Sequence, residues 1–106
     1  MDDLIYDPLG LDIFVIAEMF ESVFNGLSGV YFRLYYKESK RSEDVRNFDR
    51  EKEFYKRFRE MVRLKRSYEP TDWIKKREAV DLYCIELRKM IALELTEYRD
   101  FKINGQ

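Results

Sequence analysis

Ten of the fourteen residues from Leu82 to Leu95 are apolar, more than one face of a helix needs to cover a small core. The stretch lies in a helical pattern that starts at Thr71 or Asp72, just after Pro70, and runs to about Asp100. A helix of that length spans roughly 43 Å at 1.5 Å per residue, long for a compact bundle. Its core stripe reads Trp73, Val80, Cys84, Leu87, Ile91, Leu95 and Tyr98, supported by Tyr83 and Met90. With that stripe turned inward, Leu82 and Leu93 are left on the opposite side, with Ile85 and Ala92 on the flank between. Either two neighbours within the chain cover both sides, or the second row buries against another copy or another protein. Left exposed, it would be a large apolar patch for a monomer.

The rest of the chain sets the number of neighbours. At 106 residues it is expected to be a single domain over 1–106, and 45% hydrophobic residues supply a core without staples. Asp7-Pro8 reads as a helix start, and Ile13, Ile16, Phe20, Val23 and Leu27 follow at helical spacing. Asn25-Gly26 reads as the stop of that helix. Segment 30–37 carries two competing periods. Val30, Phe32, Leu34 and Tyr36 alternate with Tyr31, Arg33, Tyr35 and Lys37 as a strand would, whereas Ser28 suits the cap of a short helix. A helix is the preferred reading, because only Leu4–Tyr6 and Phe101–Ile103 are available to pair with a strand. Ser42 is the expected cap of a third helix, whose apolar arc holds Phe48, Phe54, Tyr55, Phe58, Met61 and Val62. Lys65, Arg66 and Pro70 mark its end. The expected fold is therefore all-α, a four-helix bundle-like domain with a long C-terminal helix.

Charge divides the chain more sharply than any linker. Residues 1–32 carry a net −6, residues 33–66 a net +6 and residues 67–106 a net −1. Such segregation implies pairing between segments or a partner of opposite charge. The basic segment holds a row, Lys52, Lys56, Arg59, Arg63 and Arg66, at four-three-four-three spacing. Like charges one turn apart repel, so an anion is expected nearby: the acidic first helix, Glu78 or Glu86 on the internal reading, or phosphate on a functional one. A net charge of −1 and a pI of about 5.6 count against a dedicated nucleic-acid binder. A helix–turn–helix can also be drawn through Gly26, with Ser28 to Lys40 as the reading helix. Tyr31, Arg33, Tyr35 and Tyr36 are equally typical of protein interfaces.

Catalysis is the class most easily discounted. With no His there is no imidazole base and no usual zinc site. Single Cys84 excludes an internal disulfide and a thiolate cluster, and reads as a buried, inert thiol. The four glycines form no phosphate-cradling loop. What remains is carboxylate chemistry on Glu18 and Glu21, or on Glu94, Glu97 and Asp100, of the kind that holds Mg²⁺ for hydrolysis. No catalytic residue, metal or cofactor is expected from the ordinary reading of these acids, which is a wet helix face.

Leu9–Phe24 is too short and too acidic to span a bilayer, and Asp2-Asp3 does not open a secretory signal, so a cytoplasmic protein with no membrane partner is expected. One Gln and no His among many ion-pairing side chains resemble the composition of thermophile proteins. The expected function is a non-enzymatic binding or assembly module, a homo-oligomer or a small subunit or inhibitor of a larger complex. Virus- and plasmid-encoded proteins often have this character. Its dry contact would be Leu82, Ile85, Ala92 and Leu93, with Tyr31, Arg33, Tyr35 and Tyr36 as a second site. The alternative is nucleic-acid binding through the basic row, and a carboxylate–metal hydrolase ranks third.

Overall fold

The computed structural model describes residues 12–103, and these form three helices: α1 (Ile13–Ser39), α2 (Phe48–Ser67) and α3 (Trp73–Ile103). The all-α class holds, but the four-helix count does not. The first two expected helices are one. Asn25-Gly26 does not stop α1, because the apolar spacing continues through it: Ile16, Phe20, Val23, Leu27, Val30 and Leu34 are all buried on one stripe. As a strand, 30–37 would place Phe32 and Tyr36 beside Val30 and Leu34, yet both rings are exposed. Ser28 does not cap a helix; its hydroxyl donates to the Phe24 carbonyl one turn back. No helix–turn–helix therefore exists at Gly26. Asp12 caps α1 by accepting the Phe14 N–H at 2.7 Å, while Asp7-Pro8 lies outside the described residues.

Gly26 serves α1 in another way. A Cβ there would stand 3.1 Å from the Leu87 side chain, so its missing side chain lets α3 approach closely. Leu87, Arg33–Glu94 and Arg41–Glu97 contacts show α1 and α3 running parallel. α2 returns antiparallel, with Phe24 near Tyr68 at one end and Tyr35 against Tyr55 towards the other. Both α2 and α3 pack along α1; their own backbones stay apart and long side chains bridge them.

The turn between α1 and α2 explains why Ser42 is not a cap. Glu38, only 3% exposed, accepts the backbone N–H of Asn47 at 2.8 Å and pairs with Arg41 at 3.5 Å. Those contacts fold residues 40–46 back, and the Asn47 side chain then caps α2 by accepting from Arg50 N–H. At the start of α3, Asp72 accepts the Lys75 N–H at 3.0 Å.

The described molecule is elongated, 62 × 25 × 15 Å, with a radius of gyration of 17.3 Å against roughly 13 Å for a compact chain of this length. A body this thin has few places to hide a second apolar face. By length and hydropathy α1 would suffice to cross a membrane; in the fold it is the helix on which the other two pack.

Candidate interaction surfaces

α3 presents its two sides differently from the expected pattern. Inward lie Ala79, Val80, Tyr83, Leu87 and Met90, followed by Glu94 and Glu97. Ile91 and Leu95, expected in the core stripe, are exposed, and the side chain of Tyr98 lies outside the described residues. The stripe is rotated because arginines recruit the acids inward. Arg33 grips Glu94 with two hydrogen bonds of 2.5 and 2.9 Å. Arg57 grips Glu86 in the same way at 2.8 and 2.5 Å, and Tyr31 donates to the same carboxylate. Glu97 takes both Arg41 and Arg50. Paired, forked contacts of this kind are the stronger class of charge-assisted hydrogen bond.

The electrostatics follow from that geometry. Burial pushes the Tyr31 hydroxyl up to about 12, with the Glu86 hydrogen bond adding to it. Burial works against the charge on Glu86, but the bonds from Arg57 and Tyr31 outweigh it and hold the carboxyl below the usual range. The Arg33 bond does the same for Glu94. Glu94 and Glu97, considered from sequence as metal ligands, are thus occupied by arginine. No group of three potential ligands is present among the described residues.

The expected contact residues fall in three places. Leu82 (61% exposed), Ile85 (53%) and Ala92 are open to solvent, whereas Leu93 is half-buried against the core. Ile74, Ile91 and Leu95 (59%) join the open set, so among the described residues α3 exposes five large aliphatic side chains. In the second expected site, Tyr31 is buried, and the exposed Arg33 is bound to Glu94. Tyr35 is half-buried against Tyr55, and Tyr36 is exposed under the Lys40 ammonium. Phe32, Tyr35, Tyr36, Tyr55 and Phe58 make a ring cluster across the α1–α2 groove that sequence periodicity did not single out.

The basic row differs from its neighbours on α2. Arg46, Arg50, Arg57 and Lys65 each have an acid. Lys52, Lys56, Arg59, Arg63 and Arg66 are all exposed, and among the described residues none has an ion pair. Of the internal partners expected for them, Glu86 is taken by Arg57 and Glu21 of the acidic first helix by Lys65, while Glu78 makes no ion pair among the described residues. Cys84 is half-buried at the core edge, its thiol 3.5 Å from the Asp81 carbonyl.

A concavity of about 370 Å³ lies where α1, α2 and the start of α3 meet. Of its lining groups, Lys65 is bound to Glu21, Lys76 stacks over Phe20 and Trp73, and the Ser28 hydroxyl donates to the Phe24 carbonyl. No known family model, characterised protein or solved structure matches this chain.

Proposed function

We propose that this protein is a non-enzymatic assembly module of the cytoplasm that binds protein through the outer face of α3, as a homo-oligomer or a small subunit of a larger complex. The observation that supports it is the exposure of Ile74, Leu82, Ile85, Ile91 and Leu95 on one helix of a thin molecule. Fully burying one such side chain is worth 1.5–3 kcal/mol, so completing burial of five half-exposed ones contributes roughly 5 kcal/mol. That only meets the lower end of the 4–15 kcal/mol cost of association, so a partner must bring apolar surface of its own. The test is native size-exclusion of the tagged chain from its host. Wild type should elute within a larger species, and Ile85→Glu with Leu95→Glu should elute as a folded monomer. A wild-type chain that elutes alone overturns the reading.

A second reading is favoured by the bare row on α2. Five cations without an ion pair among the described residues, beside exposed Tyr55, suit a polyanion, with single-stranded nucleic acid the best match because bases stack on rings. Titration with single-stranded oligonucleotide in rising salt should show a steep loss of affinity. Affinity indifferent to salt dismisses it.

A further inference from the structure

Opposite the core stripe, α3 carries a second one at four-three spacing: Ile74, Glu78, Asp81, Ile85, Arg88, Ala92 and Leu95. All seven are exposed. The charges on it are not scattered. Both acids precede Ile85, the base follows it, and among the described residues none of these three side chains has an ion pair. Asp81 lies about 6 Å before Ile85 along the axis and Arg88 about 4.5 Å after it, at 1.5 Å per residue.

We infer that this seam pairs with the same seam of a second copy, antiparallel about a two-fold axis near Ile85. The inference rests on the assembly reading and names its partner. In that arrangement Arg88 falls opposite the Glu78–Asp81 turn of the other copy, twice over, and Ile74 falls near the other copy's Ala92 and Leu95. A parallel pair would instead stack acid on acid and Arg88 on Arg88, so the charge order selects the antiparallel one. A two-fold contact of this kind closes on itself and gives a dimer, not a filament. It also supplies a partner that brings Ile74, Ile85, Ala92 and Leu95 of its own to the contact.

A charge swap on the purified full chain, read by sedimentation equilibrium with circular dichroism as the folding check, tests this. Wild type should be a dimer. Asp81→Arg and Arg88→Asp should each weaken it by about 10-fold or more, since each sets like charges face to face. Mixing the two variants should restore the dimer as a heterodimer, and Asp81→Arg with Arg88→Asp in one chain should restore the homodimer. Monomeric wild type overturns the inference. If that monomer still elutes within a larger species from its host, the assembly reading survives and only the second copy is removed as its partner. A wild-type dimer indifferent to both substitutions overturns the antiparallel seam.

Discussion

Glu38 and Glu86 each hold together parts of the chain that belong to different elements. Glu38 is buried where α1 ends, and its carboxylate stands in for the backbone acceptor that the Asn47 N–H would otherwise lack. Glu38→Ala leaves that donor and Arg41 without it and should cost about 2 kcal/mol in urea denaturation; Glu38→Gln, which keeps a carbonyl oxygen, should cost less. Glu86 joins all three helices through Tyr31 and Arg57. Arg57→Met strands a half-buried carboxylate and should cost about 1–2 kcal/mol, between the values for exposed and buried pairs. The pH dependence has a fixed sign at each end. Glu86 and Glu94 have carboxyls depressed below their unfolded values, so their contribution is complete above the ordinary carboxylate range and lost as pH falls through their lowered folded values. Tyr31 is raised from 10.0 to about 12, so its contribution is complete below pH 10 and lost as pH rises towards 12. The urea midpoint should therefore be level between these limits and fall on both sides, and Tyr31→Phe should flatten the alkaline limb.

At the scale of elements, the helices that periodicity described were present, and so was the joint at Pro70, but the break at Asn25-Gly26 and the cap at Ser42 were not. The apolar spacing of α1 was legible, but Asn25-Gly26 carries the same local signature as a helix stop, and only contact with Leu87 tells that Gly26 is there for close packing. Likewise the surplus on α3 was legible, but which side faced inward was not. Apolar residues almost encircle the helix between Leu82 and Leu95, so the choice fell to Glu86, Glu94 and Glu97 and the arginines across from them. Pairing between segments was foreseeable from the charge division; the identity of the pairs needed three-dimensional registry. The two mid-helix glycines should separate packing from propensity. A Cβ on Gly29 meets only the far end of Arg33, at 3.2 Å, which must shift slightly within its Glu94 pair, so Gly29→Ala should stabilise by less than the full propensity gain of about 0.5–1 kcal/mol. At Gly26 the same gain is offset by pressure on Leu87. Gly26→Ala should be close to neutral and Gly26→Val clearly destabilising, both read from thermal melts.

Across the whole molecule, a net charge of −1 conceals a division of the basic segment between arginines that are paired and the row Lys52, Lys56, Arg59, Arg63 and Arg66, which has no ion pair among the described residues. The inner arginines clamp α3 to α1 and α2 and take up Glu86, Glu94 and Glu97, so none of these three acids is left for the outer row. Lys56, Arg59 and Arg63 then repel one another one turn apart, a spacing at which each like-charge pair costs about 0.2–0.5 kcal/mol. A row held for stability would show the reverse. Arg59→Glu places a carboxylate three residues after Lys56 and four before Arg63, and the second of these pairs has the favourable acid-first order. It should raise stability by about 0.5 kcal/mol in urea denaturation while abolishing any oligonucleotide binding. The opposite pattern, a loss beyond 1 kcal/mol with binding untouched, would mean that the row serves the fold. A gain in stability with a loss of binding would mark it as a surface kept charged for a partner, separate from the aliphatic face of α3.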